Sequence, residues 1–233
     1  MNNGQYKTAL IVGAGSGISA AFARMLVADG VKVALAARNA GKLAALAEEV
    51  GAYSFAADAS DPAAIARLFE EVDAQVGVPD VVLFNAGARA HGPIAEIDPM
   101  SVRDALLTSA YGGFLVIQQA ARRMVPRGHG AILLTGASAS IKGYPLSSAF
   151  AMGKFALRGL AQSAARELGP KGIHVAHFII DGSVRSASRA IPADRPDSLL
   201  DPEAIAQVYL DTLRQTRSAW SLEVDVRPWV EHF

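Results

Sequence analysis

The chain has 233 residues, with 22 basic and 22 acidic side chains and no formal net charge. Hydrophobic residues make up 51% and charged residues 19%, which excludes a disordered chain and argues against a nucleic-acid binder, since such a protein carries a basic stripe to neutralise phosphates. There is no cysteine, so disulfides, thiolate metal sites and cysteine nucleophiles are excluded.

In chain order, residues 8–12 form a short apolar run that ends at Gly13. Helical spacing follows at Ile18, Ala21, Phe22 and Met25, stopped by Asp29 and Gly30. Residues 31–37 are too apolar for a half-exposed strand and predict one covered on both faces. A helix is expected over 41–50 and a third strand over 53–57. Asp61 before Pro62 predicts a capped helix to about Val76, and 80–84 a fourth strand. Asp98 before Pro99 repeats the cap signal and opens a long helix through Met124. Residues 131–135 read as a fifth strand. A helix from about Ser147 to Leu168 follows, stopped by Gly169 and Pro170, then a sixth strand over 173–180. Asp201 before Pro202 caps a last helix, and Leu222, Val224 and Val226 alternate like a closing strand.

Strands separated by helices imply right-handed crossovers and a parallel sheet with helices on both faces. The expected fold is a doubly wound α/β sheet of about seven strands, in a single domain spanning residues 1–233. Ligands of such sheets sit beyond the carboxyl ends of the strands. No apolar run reaches the roughly 20 residues that cross a bilayer, and no secretory pattern is seen at the N-terminus. The expectation is a cytoplasmic chain with no membrane partner.

The first strand runs straight into Gly13-Ala14-Gly15-Ser16-Gly17-Ile18-Ser19, where a helix begins. Glycines permit the turn and let backbone amides approach a phosphate, and the helix start adds its positive dipole end. The spacing differs from the common G-x-G-x-x-G, because Ile18 stands where the third glycine would fall. It resembles the T-G-x-x-x-G-x-G loop of short-chain dehydrogenases/reductases, with Gly13 and Gly17 matching, Val12 for the threonine and Ser19 for the last glycine. Phe84-Asn85-Ala86-Gly87 is similar to the family's N-N-A-G motif without its first asparagine. Asp58, followed by Ala59, stands where the family's aspartate meets the adenine, and Lys154 where its Y-x-x-x-K lysine belongs. Gly182-Ser183-Val184-Arg185-Ser186 looks like the loop that closes over the nicotinamide.

This resemblance implies a Rossmann-type fold that holds a dinucleotide through Gly13, Gly15, Ser16, Gly17, Ile18, Asp58, Ala59, Asn85, Ala86, Gly87, Lys154, Gly182 and Val184. An acid at the end of the second strand would bind a ribose 2′-hydroxyl and repel a 2′-phosphate. Here that strand ends Ala36-Ala37-Arg38-Asn39, and Arg38 offers a planar fork of donors suited to phosphate. Lys42 adds to that field. The reading is NADP(H), with NAD(H) as the other possibility.

The acid–base half departs from the family pattern. The family uses a tyrosine whose pKa, about 10 when free, is lowered by the neighbouring lysine. Four residues before Lys154 stands Phe150, which cannot transfer a proton. Thirteen further back lies Ala137 where the serine is expected, with Ser138 beside it as the substitute hydrogen-bonder to substrate. Ser109 takes the asparagine position on the preceding long helix, and Asp181 replaces the proline before Gly182. Ser147, Tyr144 and His91 are conceivable stand-ins, each with a plainer reading as helix cap, pocket wall and loop residue.

The segment from 182 to 202 is short for the family's substrate lid, and 191–196 reads as a loop. An open pocket, or one completed by another subunit, follows. Arg227-Pro228-Trp229 reads either as an interface anchor or as core packing. The resemblance also implies a homodimer or homotetramer paired through long helices. Two functions remain open at this point: an NADP(H)-dependent oxidoreductase acting on a small carbonyl or alcohol, and a catalytically impaired dinucleotide-binding sensor or scaffold.

Overall fold

Alternating apolar runs and helical stretches give alternating strands and helices in a computed structural model that describes residues 5–187, 189, 191–192 and 194–231. The order is β1 (Thr8–Val12), α1 (Ile18–Ala28), β2 (Lys32–Ala37), α2 (Ala44–Val50), β3 (Tyr53–Ala56), α3 (Pro62–Gln75), β4 (Val81–Phe84), α4 (Pro99–Leu106), α5 (Gly112–Met124), β5 (Gly130–Thr135), α6 (Ser148–Leu168), β6 (Ile173–Ile180), β7 (Ser183–Val184), β8 (Leu199–Leu200), α7 (Pro202–Leu213) and β9 (Glu223–Val226). Seven strands form one sheet in the order β3-β2-β1-β4-β5-β6-β9, with every neighbouring pair parallel. The expected doubly wound architecture is therefore present.

Strand alternation divides the core into two layers. Leu10, Val12, Val82, Phe84, Ile132 and Leu134 pack on one face against α3, α5 and α6. Ala9, Ile11, Val81, Leu83, Ala131 and Leu133 pack on the other against α1, α2 and α7. Both faces are covered, which is why the strands read as continuous apolar runs. The three Asp-Pro signals act as caps. Asp61, Asp98 and Asp201 each accept a hydrogen bond from a first-turn backbone N–H, with proline at the first helical position.

Three details differ from the sequence reading. The stretch 99–124 is not one α-helix: α4 and α5 are joined by a π-helical turn at Leu107–Tyr111. Two close approaches follow directly after it. A Cβ at Gly112 would lie 2.7 Å from the Ala59 carbonyl oxygen, and one at Gly113 would lie 2.6 Å from Leu157. Next, α2 starts at Ala44 after a 3₁₀ turn over Ala40–Leu43. Last, the segment beyond Gly182 contains β7 and β8, a two-stranded parallel ribbon of dipeptides too short to show a period. Residue 193 of the expected loop and residues 232–233 of the tail lie outside the described residues. Trp229 is 81% exposed, so the core-packing reading of it fails; its indole Nε1 donates to Asp197 at 2.9 Å.

Tyr209 ties α7 to the sheet. Its ring packs against Phe22 and Phe178, and its hydroxyl lies 3.0 Å from Thr135 Oγ1 at the carboxyl end of β5. Removing that hydroxyl leaves a buried threonine oxygen without its partner. Tyr209→Phe is expected to cost about 1–2 kcal/mol of stability, read from the urea midpoint. An unchanged midpoint would show that the contact contributes nothing.

Candidate functional site

At the end of β1 the chain turns at Gly13, whose φ of +82° suits glycine. The amides of Gly13 and Ala14 both donate to the Ala36 carbonyl at 2.9 Å. A Cβ on Gly13 would lie 2.3 Å from the backbone nitrogen of Ala86, so only glycine fits. Asn85 locks this crossing. Its backbone N–H donates to Val12, and its side-chain amide donates to the Gly13 carbonyl at 3.3 Å and to Ser19 Oγ at 2.9 Å. The buried Ser19 hydroxyl donates in turn to the Gly13 carbonyl at 3.4 Å. Serine at this position therefore completes a tie that glycine could not make.

Gly15 and Gly17 behave differently. A Cβ on either would meet nothing within 4 Å. Between them Ser16 is exposed, and α1 begins after Gly17 with no side-chain cap and no acid in its first turn. A helix start left without an anion of its own is a cradle for one from outside.

Two adjoining clefts run along the carboxyl edge of the sheet and share Asn85 and Gly87. The first is lined by Gly13, Arg38, Asp58, Ala59, Asn85 and Ala86, among others. Asp58 accepts from the Ser60 side chain at 2.7 Å and from its backbone N–H at 2.9 Å, bonds that hold its pKa below the usual carboxylate range. Arg38 is exposed and makes no ion pair among the described residues. Lys42 does not line this cleft.

The second cleft brings Ile18, Asn85 and Gly87 together with Phe150, Lys154, Gly182 and Val184. Lys154, only 5% exposed, donates to the Thr135 carbonyl at 2.6 Å. Burial, with the charge of Arg89 as a second cause, brings its pKa down from 10.5 to about 8. Gly182 has a φ of +151°, and a Cβ there would lie 2.9 Å from Pro228, so the tail holds this turn in place. Val184 pairs with Leu200 in the β7–β8 ribbon.

The other singled-out residues fall outside both linings. Ser109 is buried in the π turn; its hydroxyl accepts from the Ala88 N–H at 3.0 Å and so supports the loop after β4. Ser138 opens a 3₁₀ turn, and Ala137 lines the cleft instead. Ser147 sits at the cap position of α6 without making a cap hydrogen bond. Tyr144 and His91 are exposed on neighbouring loops. The sequence reading missed Arg89, Thr135 and Arg189, which line the second cleft. Arg89 lies four residues beyond Asn85 on the same loop, and a charge at that sheet edge was the available signal.

A family profile described as short chain dehydrogenase matches residues 7–190. A short-chain dehydrogenase/reductase of Armillaria gallica is 37% identical over 75% of this chain and 70% of its own length. An L-2,3-butanediol dehydrogenase of Corynebacterium glutamicum is 31% identical over 71% of this chain and 67% of its own. A metagenomic short-chain oxidoreductase, solved in complex with NADP, superposes with a TM-score of 0.84 at 30% identity and covers 96% of this chain and 98% of that one.

Lys154 yields a signed pH dependence. Its pKa is about 8 in the folded chain and 10.5 as a free side chain, so between these values the unfolded chain binds more protons and stability from this group rises with pH. The wild type is expected to gain stability relative to Lys154→Met as pH rises from about 8 to about 9.5, in urea titrations. A difference that stays flat would remove the buried-ammonium assignment.

Proposed function

The chain belongs to the short-chain dehydrogenase family, and from that premise we propose that it is an NADP(H)-dependent oxidoreductase acting on a small carbonyl or alcohol. The observation that carries the reading is the adjoining pair of clefts, with Arg38 and Asp58 in one and the uncapped start of α1 and the buried Lys154 in the other. The residues present fit a dinucleotide: Gly15 and Gly17 leave open space, Asn85 and Gly13 shape the crossing, and Arg38 is free to meet a 2′-phosphate. Asp58 and Ala59 would wall the adenine, Lys154 would meet the nicotinamide ribose, and Gly182 and Val184 would close over the nicotinamide. The dehydrogenase and reductase names of the similar proteins, one of them an alcohol dehydrogenase by its diol substrate, favour this reading over a non-catalytic module.

When bound, the cofactor exchanges a hydride with the substrate carbon. The residues of the chain orient the substrate, exclude water and handle the proton. Phe150 stands where the resemblance puts a tyrosine, and its ring holds no proton. Lys154 lines the cleft with a pKa that burial lowers to about 8, so it is the proton donor we assign to the substrate oxygen. Ser138 reaches that oxygen only if the turn after β5 moves. The expected homo-oligomer fits the face of α5 and α6, where Phe114 and Phe155 are exposed.

Cofactor choice is tested by fluorescence titration with both reduced cofactors. NADPH is expected to bind roughly tenfold tighter than NADH or better, and Arg38→Asp to reverse the order. Equal affinities in the wild type would overturn the Arg38 assignment, and no binding of either would overturn the function. Phe150→Tyr is expected to raise kcat on the order of 10²-fold on any carbonyl the wild type reduces, with cofactor affinity unchanged. An unchanged or lower kcat would show that position 150 does not limit proton transfer.

A further inference from the structure

The second cleft is lined by positive charge. Arg89, Lys154 and Arg189 all line it, and no carboxylate does. Lys154 has a buried partner in the Thr135 carbonyl. Arg89 has none of that kind. Its guanidinium lies 4.1 Å over the centroid of the Phe150 ring, and among the described residues no acid pairs with it.

That placement is informative for three reasons. A cation–π contact fixes the position of a guanidinium while using none of its N–H donors, so the fork stays available to a planar anion. Lys154 Nζ also lies 5.8 Å from the same ring, which puts two like charges beside one aromatic side chain. Such an arrangement costs free energy until an anion arrives. The cofactor's phosphates also have other partners. The uncapped start of α1, at Ile18 in the second cleft, and the free Arg38 in the first serve them, whereas Arg89 lines the second cleft beside Thr135, Gly136 and Ala137. Phe150 therefore acts as a platform. The position that would carry a phenol carries a ring that seats a cation.

We propose that the substrate end of this cleft binds an anionic group, a carboxylate or a phosphate monoester, on the carbonyl or alcohol substrate. Arg89 is the residue that selects it and Arg189 stands at the rim. The proposal rests on the oxidoreductase reading above and narrows its substrate class.

The test uses matched ketones that differ in charge: acetoacetate against its methyl ester, and dihydroxyacetone phosphate against dihydroxyacetone. Each is titrated calorimetrically into protein saturated with NADPH. At least one charged member is expected to bind roughly ten- to a hundredfold tighter than its neutral partner. A preference for acetoacetate identifies a carboxylate site, and one for the sugar phosphate a phosphate site. Arg89→Gln is expected to bring the gap within about twofold, and Arg89→Lys to keep part of it. Neutral members binding as well as charged ones, a gap that survives in Arg89→Gln, or no binding of either charged member would each overturn the proposal. Should Arg89→Gln fail to fold, salt decides in the wild type: raising ionic strength from about 0.05 to about 0.5 M must weaken the charged member and spare the neutral one. NADPH is titrated alone first. Its failure to bind would sink the oxidoreductase reading, and the same four compounds titrated into the free protein would still decide the anion site.

Discussion

Two loops leaving neighbouring strands have to cross in contact, and the site follows from how that crossing is made. β1 and β4 lie side by side, so the turns after Val12 and Phe84 meet directly beyond the sheet edge. Contact at Gly13 leaves no room for a side chain, and the Asn85 amide and the Ser19 hydroxyl clamp the two backbones together. The clamp fixes where α1 starts. It also fixes the shared wall of the two clefts, because Asn85 and Gly87 face both. A looser crossing would move the helix start relative to Lys154.

The second theme is charge held in a dry place. Lys154 is almost wholly buried, fastened to the last carbonyl of β5, and that strand end is braced from the other side by Tyr209. Burial makes its proton movable near neutral pH, a property usually found where chemistry is done. Arg89 adds a second cation over Phe150. The Phe150 ring thus gives a guanidinium a fixed seat in this cleft. Ser109 contributes from beneath by holding the loop that carries Arg89, a supporting role performed by a residue that lines neither cleft.

Much of this was legible in the residues. The Asp-Pro pairs at 61, 98 and 201 announced helix starts because a carboxylate beside a proline satisfies the first-turn amides and presets the backbone. The glycine loop, Asn85 and Lys154 could be placed because each lies at a strand end or on a helix in a recognisable order. The π turn could not be read, since residues 107–111 carry the same helical periodicity as the α-helices on either side. Arg89 was passed over for a different reason. On its loop it looks like one more solvated charge, and only the ring of Phe150 from α6 gives it a fixed position.

The sequence by itself determined the layered parallel sheet, the glycine turn between β1 and α1, and the absence of a phenol at position 150, because these depend on local periodicity, turn chemistry and residue identity. The tertiary structure alone decided which charges share a cleft and which serines are turned away from it. It also decided that Ser19 is a clamp and Trp229 a surface residue. The physical reason is distance: partners and exposure are set by neighbours that the fold brings in from elsewhere in the chain, 19 positions away for Lys154 and Thr135 and 66 for Asn85 and Ser19.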